Sequence, residues 1–390
     1  MIDRSIIESG LLKRLLVMPS ELDRSKQRLA MLFLLAMTLL HCVVASFLFW
    51  YLPKGFQDFT MFYRGAEMVR AGQMAQWHDL HPAFEELLFV PLTYLDYFPA
   101  YEVWTFLNVV MLALCLGLLK TTFEEVGRLS PLILILSVSA FAPVVRALFQ
   151  GQDSILLLLL VTLCVFSLAR GHVVLAGAML GLGMFKFHLV LPLALVLAVR
   201  RARLWLGFVP VTVVLAAIWT MMVGREGIAD YAHFIVPEEA YIASGKRVGM
   251  ANLHGLLAQL TGKSGGSFVK VAAIVCGATL LGVVLWKLWK RKAGIRLLFS
   301  VAIVTSILVG YHAIIHDLTL LLPVVLMLFA ADGPATRSEM RVDIALLVVV
   351  YTTFFIGTWI WQWVNPWWWI PIAIWISRKY GRGDSAAAAA

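Results

Sequence analysis

The first long apolar stretch of the chain, residues 29–52, reads LAMLFLLAMTLLHCVVASFLFWYL and decides the class of fold. A helix needs about 20 apolar residues to cross the roughly 30 Å hydrocarbon core of a bilayer, and this stretch is longer than that. It is also too long for the core of a signal peptide, and it follows a charged leader. We therefore interpret it as a retained membrane helix.

The remainder of the chain repeats this apolar pattern. Of its 390 residues, 61% are hydrophobic and 14% are charged, and the mean hydropathy is +0.86. A soluble globule needs more charge to cover its surface. We predict an all-α multi-pass membrane protein with about twelve transmembrane helices, several of them short. The four cysteines all lie within apolar runs, so no disulfide framework is indicated.

Basic residues are unevenly distributed along this pattern. With the N-terminus inside the cell, 22 of the 32 lysines and arginines fall in cytoplasmic segments, as the positive-inside rule predicts. The net charge of +9 therefore reflects membrane orientation, and we expect no nucleic-acid partner. We predict a cytoplasmic amphipathic leader at 1–28, a transmembrane domain at 29–376 and a cytoplasmic tail at 377–390. The long external loops, 53–100 and 224–266, place the working face outside.

Asp58 opens the first external loop, in the sequence QDFTMFYRG at residues 57–65. The apolar residues from Thr60 to Ala71 have helical spacing, which predicts an interfacial helix on the membrane surface. A carboxylate in this place, followed by aromatics and Arg64, suits proton transfer on a lipid-borne substrate. An Asp before a helix is also a common N-cap, and the two roles are compatible.

A polar turn, Gln150-Gly151-Gln152-Asp153, separates two apolar runs. Gly151 permits a tight turn, while Gln150, Gln152 and Asp153 supply donors and acceptors for sugar hydroxyls. The alternative interpretation is an ordinary external hairpin in which Asp153 caps the next helix.

Lys186 and His188 also lie between apolar runs. A charge in such a setting is costly unless it is paired or hydrated, so Lys186 is a functional candidate; the alternative is a lysine that snorkels to the interface. His312 and His316 share one helical face, a spacing that suits phosphate, sugar or metal. Since no other His or Cys cluster accompanies them, we expect no metal site.

The second external loop, 224–266, predicts a partly ordered lid or acceptor-binding surface. Asn252 and His254 lie just before an apolar pattern at Leu256, Leu257 and Leu260. We expect His254 to face the acceptor.

Four short motifs occur along the chain in a fixed order. They are Asp58-Phe59-x-x-Phe62-Tyr63-x-Gly65-Ala66, Gln150-Gly151-Gln152, Lys186 before Leu191-Pro192, and His312-x-x-x-His316-Asp317-x-x-Leu320. Each is degenerate by itself, but the ordered set, over about residues 29–376, resembles glycosyltransferase family 87.

The resemblance implies a GT-C membrane fold and the inverting transfer of a hexose from a polyprenyl monophosphate sugar to a hydroxyl of a glycolipid or glycan. Mannose is favoured, because the best-known members resemble polyprenol-phosphate-mannose-dependent α-mannosyltransferases of mycobacterial phosphatidylinositol mannoside synthesis. The expected setting is a bacterial plasma (inner) membrane, with both termini cytoplasmic, an external or periplasmic active site, and membrane lipids as partners. No cofactor is expected.

The resemblance also implies roles for individual residues. Asp58 matches the family's first-loop Asp and would be the general base. The donor phosphate and sugar would contact Lys186, His188, His312, His316, Arg64, Gln150 and Gln152. His254 would lie on the acceptor side.

Two other classes of protein would share the apolar pattern. A transporter or lipid-sugar flippase should show an internal repeat and polar residues near the middle of the membrane, and neither is clear here. A scaffold protein would not need an external carboxylate and a His cluster. A nucleotide-sugar enzyme would normally carry a Rossmann-like domain with a Gly-rich loop, which the sequence lacks.

Overall fold

The structure, a computed structural model, describes residues 21–49, 57–74, 82–243, 250–261, 267–291, 293–331, 336–360 and 367–380. All regular secondary structure in these residues is helical, and they contain no β-strand. The prediction of an all-α protein is therefore confirmed for the described part of the chain. Most of the predicted leader, residues 1–20, lies outside it.

The α-helices are numbered here in chain order. They are α1 Glu21–Phe49, α2 Gln57–Ala71, α3 Tyr97–Thr122, α4 Glu124–Gly127, α5 Pro131–Ser139, α6 Ala142–Gln150, α7 Ser154–Ala169, α8 Val173–Leu182, α9 Phe187–Ala198, α10 Trp205–Ala243, α11 Leu253–Thr261, α12 Ser267–Lys290, α13 Ile295–Val309, α14 Leu321–Ala330, α15 Arg337–Phe355 and α16 Trp369–Tyr380. Short 3₁₀ helices cover Ala83–Leu88, Val90–Tyr94, Gly183–Lys186, Ala202–Leu204 and Ile315–Leu320, and a π-helical turn covers Ile356–Ile360.

Several of these helices are long and apolar enough to cross a membrane. Six stretches qualify: Glu21–Phe47, Tyr97–Thr122, Val173–Ala198, Ala202–Tyr231, Ser267–Lys290 and Arg337–Ile360. The pair α5 and α6, bent by 62°, makes a seventh if it is counted as one span. The chain is thus a membrane protein. Twelve crossings are not confirmed, because the remaining apolar helices are shorter than the about 20 residues that a span needs.

The stretch Val173–Ala198 qualifies by length and composition but is not one straight crossing, because it doubles back at Lys186. The backbone of Lys186 leaves helical geometry, with φ −110° and ψ 56°. A Cβ atom added to Gly183 would lie 3.1 Å from Cγ2 of Val190. Seven residues of straight helix would separate these positions by about 10 Å. Helices α8 and α9 therefore form a hairpin with Lys186 at its turn.

Glycines allow α8 to pack closely along α10. A Cβ atom on Gly177 would collide with the carbonyl oxygen of Leu204, and one on Gly207 with that of Val174. Small residues at such crossings are typical of helix packing in membranes. The start of α8 therefore lies beside the start of α10, and the Lys186 turn lies at the far end of the hairpin.

The described helices meet at two polar ends. At the first, which we call the Asp58 end, the turns that follow α6, α8 and α13 meet, at residues 150–153, 183–188 and 310–317, and α2 packs on the first of them. At the second, the Asp343 end, the start of α1 meets the start of α15 and the end of α16. The turns that follow α7, α9 and α12 lie on this second side.

Helix boundaries differ from the sequence pattern at two places. The described part of α1 starts at Glu21, eight residues before Leu29, and includes the buried Lys26, which pairs with Asp343. In the segment predicted to be the second external loop, α10 continues to Ala243 beyond a break at Gly224, where φ is 72° and ψ is 179°.

Candidate active site

Asp58 lies in the first turn of α2, and its side chain is half-buried. A carboxylate there is favoured by the partial positive charge at a helix start. The described helix begins at Gln57, so the structure places Asp58 one residue inside it. The helix predicted from the spacing of Thr60 to Ala71 is confirmed, with its start three residues earlier.

Aromatic packing and a glycine fix α2 against the segment 82–95. The ring of Phe62 stacks on that of Phe89 with centroids 4.7 Å apart. A Cβ atom on Gly65 would collide with the carboxylate of the buried Glu86. A larger residue here would require the Glu86 carboxylate to move, which gives the Gly65 of the first motif a packing role.

Tyr63 adds a polar anchor to the same helix. Its hydroxyl donates a hydrogen bond to the carbonyl oxygen of Leu95 at 2.7 Å. Partial burial and the nearby carboxylates of Glu67 and Asp96 raise the pKa of Tyr63. The phenol therefore keeps its proton at neutral pH and remains a donor.

The turn at Gln150–Asp153 packs beneath the first turn of α2. Gly151 has a left-handed backbone, with φ 63° and ψ 37°, and an added Cβ atom would lie 2.7 Å from Cβ of Phe59. Both conformation and space therefore require glycine. The indole Nε1 of Trp104 donates to the carbonyl oxygen of Gly151 at 2.9 Å. The predicted polar turn therefore lies directly against Phe59, the residue that follows Asp58.

Arg146, one helical turn before Gln150 on α6, is a cation close to Asp58. The two opposite charges attract each other. The guanidinium is half-buried and lies 5.8 Å from the centre of the Trp359 ring. The sequence analysis did not single out Arg146, since an arginine near a helix end resembles an ordinary interfacial residue. Its spacing of four from Gln150, which places both on one helical face, was the available signal.

Lys186 lies at the centre of a buried ion cluster. Its Nζ is 2.9 Å from Asp153 and 2.7 Å from Asp317, and it donates to Oγ of Ser154 at 2.9 Å. The side chains of the lysine and both aspartates are at most 2% exposed. A lysine has three N–H donors, and these three acceptors match all of them. We call these four residues the Lys186 cluster.

The Lys186 cluster ties together three turns that are distant in sequence. Asp153 follows α6, Lys186 joins α8 to α9, and Asp317 follows α13. With one ammonium and two carboxylates, the cluster carries an excess of negative charge. Removal of the cation would leave buried carboxylates uncompensated, which is strongly destabilising.

Three histidines surround this cluster. His188, His312 and His316 all lie within electrostatic range of Asp317. Nδ1 of His316 is 3.5 Å from Oε1 of Gln150, and the rings of His188 and His312 have centroids 5.5 Å apart. The structure thus brings the predicted Lys and His residues to one place beside the polar turn.

The other predicted site residues have different surroundings. Arg64 is exposed on α2, and Gln152 is buried. His254 is half-buried at the start of α11. Its neighbour Asn252 donates from Nδ2 to the carbonyl oxygen of Gly310 at 2.8 Å, which holds the start of α11 against the turn after α13.

The sequence analysis missed Asp317 as a site residue, and it considered Asp153 for sugar hydroxyls or a helix cap without predicting that either aspartate pairs with Lys186. Each follows a polar turn, a position equally typical of a helix cap. The available signal was Lys186, because a lysine within apolar sequence requires an anionic partner. In the described part of the chain, no three His, Cys, Asp or Glu side chains are grouped as a metal ion would require.

Comparison with known families gives one match, between residues 80–311 and the model of glycosyltransferase family 87. The matched range includes the Gly151 turn and Lys186, while Asp58 and His316 lie outside it. Curated proteins and solved structures give no match. Because the match covers more than half of the chain, the protein belongs to glycosyltransferase family 87, as its motifs predicted, and is a membrane glycosyltransferase.

Proposed function

We propose that the protein transfers a hexose, with mannose favoured, from a polyprenyl monophosphate sugar to a hydroxyl of a glycolipid or glycan. The acceptor oxygen bonds to C1 of the sugar while the bond from C1 to the phosphate oxygen breaks. The acceptor proton passes to Asp58, and polyprenyl phosphate leaves with the bonding electrons. Attack from the opposite face inverts the configuration at C1. Family membership supports sugar transfer, and the motifs support the lipid-linked donor.

The electrostatic attraction between the half-buried Asp58 and Arg146 is the observation that carries this proposal. A carboxylate within hydrogen-bond reach of a hydroxyl can take its proton during attack. A guanidinium nearby stabilises the charge that builds on a departing phosphate. The two half-buried side chains supply both requirements at one polar end of an apolar helix bundle.

Lys186 acts in this proposal as a positioning residue. Its three donors are matched by Asp153, Asp317 and Ser154, so a phosphate would have to displace one of them. A phosphate contact for Lys186 stays a prediction. In addition to Arg146, we assign contacts to the phosphate and the sugar to the surrounding histidines and to Gln150, and the acceptor side to His254.

The lipid tails of the substrates would lie against apolar helices, with the reacting groups at the Asp58 end. Large apolar side chains on α1 are exposed in the structure, including Leu32 at 61% and Phe47 at 70%. The distribution of basic residues supports an external Asp58 end and cytoplasmic termini in a bacterial plasma membrane.

A transfer assay tests the donor class. The purified protein in lipid nanodiscs would receive a glycolipid acceptor and either polyprenyl phosphate [¹⁴C]mannose or GDP-[¹⁴C]mannose. We expect label in the acceptor only from the lipid donor, and parallel glucose and arabinose donors identify the sugar. Transfer from GDP-mannose alone would contradict the donor class. Movement of intact donor across the bilayer, without a labelled acceptor, would support the transporter alternative.

A further inference from the structure

An aromatic and basic cluster lies between α1, α6 and the π-helical turn that follows α15, and one of its members, Arg146, interacts electrostatically with Asp58. We call it the His41 cluster, and it comprises His41, Arg146, Phe149, Phe355 and Trp359. The ring of His41 lies edge-on to Phe355 and Trp359, with centroids 4.9 and 6.2 Å away. Phe149 packs against Trp359 at 6.3 Å, and the Arg146 guanidinium lies 5.8 Å from the same ring. The proposed reaction assigns no role to His41 or Trp359.

His41 has one ring nitrogen that its surroundings do not use. The side chain is 3% exposed, and Nδ1 lies 2.8 Å from the carbonyl oxygen of Met37. A carbonyl only accepts, so Nδ1 carries the proton and Nε2 of the neutral ring offers a lone pair. No described residue forms a hydrogen bond with Nε2. Buried polar groups normally have a partner, so this nitrogen points to a ligand that donates.

Trp359 presents the complementary group. Its indole Nε1 is buried, and the described residues supply no hydrogen-bond acceptor for it. An indole N–H can only donate. The residue lies in the π-helical turn Ile356–Ile360, a distortion that is frequent at functional sites. The His41 cluster thus combines an unused acceptor, an unused donor and a cation.

We propose that the His41 cluster binds the sugar-phosphate head of a lipid monophosphate sugar. Arg146 and Trp359 donate hydrogen bonds to phosphate oxygens, and Nε2 of His41 accepts one from a sugar hydroxyl. The identity of this ligand as the donor substrate rests on the proposed function. Since Asp58 lies close to Arg146, a sugar held here has its reacting carbon near the base.

The position of the cluster favours a lipid over free phosphate. His41 lies within a membrane-capable helix, and the adjacent Leu40 and Val43 are 42% and 53% exposed on its outer surface. A lipid in the bilayer can approach such a site laterally with its tail on these apolar side chains. Inorganic phosphate would have to leave water to reach it.

Binding measurements on the purified full-length protein in detergent test this site. The probes are farnesyl phosphate, mannosyl farnesyl phosphate, farnesol and inorganic phosphate. Trp359→Phe keeps the ring but loses the donor, so we expect it to weaken farnesyl phosphate binding about tenfold or more, as should Arg146→Gln. His41→Phe should weaken only the mannosyl probe, because farnesyl phosphate has no sugar hydroxyl. Farnesol and inorganic phosphate should bind weakly to every form.

Trp289→Phe, which changes an exposed indole on α12, is the matched control and should leave all binding unchanged. Thermal unfolding of each variant establishes that it is folded. Equal binding of farnesyl phosphate by the wild type, Trp359→Phe and Arg146→Gln would overturn the site. Inorganic phosphate binding that Trp359→Phe weakens to the same extent would overturn the lipid assignment. If the transfer assay identifies another donor while these variants still lose farnesyl phosphate, the proposed function fails and the site stands.

Discussion

Two buried ion clusters lie at opposite ends of the molecule and have opposite compositions. The Lys186 cluster contains one lysine and two aspartates. At the Asp343 end, Asp343 lies 3.3 Å from Nζ of Lys26 and 2.8 Å from Nζ of Lys379. One cluster therefore has an excess of negative charge and the other an excess of positive charge.

Their surroundings differ as well. Lys26 and Lys379 also donate to the carbonyl oxygens of Phe329 and Ala331, at the end of α14, where the helix dipole is negative. Backbone carbonyl oxygens thus accept the remaining hydrogen bonds of the two lysines at the Asp343 end. These bonds join α1 and α16 to the end of α14. The Lys186 cluster is bordered instead by histidines and a polar turn. A buried ion pair is therefore not by itself a sign of an active site. The additional polar side chains around the Lys186 cluster are what distinguish it as a candidate site.

A reagent added outside the cell should reach the Asp58 end and should not reach the Asp343 end. We expect a membrane-impermeant maleimide to label Gln73→Cys in intact cells, and to label Ser338→Cys only after permeabilisation. Both positions are exposed in the structure, and the exposed native Cys42 and Cys276 would be changed to serine in both proteins. The reverse pattern of labelling would place the Asp58 end in the cytoplasm and refute the proposed orientation.

Loss of the lysine should cost more in the Lys186 cluster than in its counterpart. Lys186→Met leaves Asp153 and Asp317 without their shared cation, which should lower the free energy of unfolding by about 3–5 kcal/mol. Lys26→Met leaves Asp343 paired with Lys379, so we expect a loss of no more than about 2 kcal/mol. Unfolding of the purified proteins in detergent measures both.

The triple variant with Lys186→Met, Asp153→Asn and Asp317→Asn is the control for this comparison. Removal of all three charges should recover part of the stability lost by Lys186→Met alone, since no uncompensated carboxylate remains. Equal losses for Lys186→Met and Lys26→Met would show that the two clusters are energetically equivalent.

Two glycines with positive φ allow the turns at the two ends of the molecule to be compared. Gly151 at the Asp58 end touches Phe59, while Gly171 at the Asp343 end, with φ 81°, has open space at its Cβ position. Gly171→Ala should therefore cost only backbone strain, about 1–2 kcal/mol. Gly151→Ala adds a collision with α2 and should cost about 2–4 kcal/mol. Denaturant unfolding compares them, and a larger loss for Gly171→Ala would be inconsistent with this packing.

The smallest effect is expected for an exposed ion pair at the Asp343 end. Arg128 lies 2.8 Å from Glu124, but both side chains are more than half exposed. Such i,i+4 pairs contribute about 0.3–0.5 kcal/mol. Arg128→Gln should thus leave the unfolding midpoint nearly unchanged, whereas a loss comparable with that of Lys26→Met would mean that burial is not what separates strong from weak pairs here.

Features set by local sequence were predicted well. The apolar spacing of α2 and the glycine at position 151 depend on neighbouring residues alone, and both the helix and the turn are present. Family membership followed from the order of the motifs and is confirmed.

Features that depend on helix packing could not be predicted from the sequence. Lys186 and Asp317 are 131 residues apart, and nothing local links them. The unused nitrogens of His41 and Trp359 become visible only once α1 packs on the end of α15. The number of crossings was unreliable because hydropathy marks apolar segments without showing where a short one turns back.

Replacement of Asp58 by asparagine tests the central claim most directly. Asp58→Asn keeps the shape of the side chain but removes its ability to accept a proton. We expect sugar transfer from polyprenyl phosphate mannose to fall by roughly 10² to 10⁴-fold, with both substrates still bound. Glu67→Gln, an exposed carboxylate on the same helix, is the control and should retain activity. Near wild-type transfer by Asp58→Asn would contradict the role of Asp58 as general base.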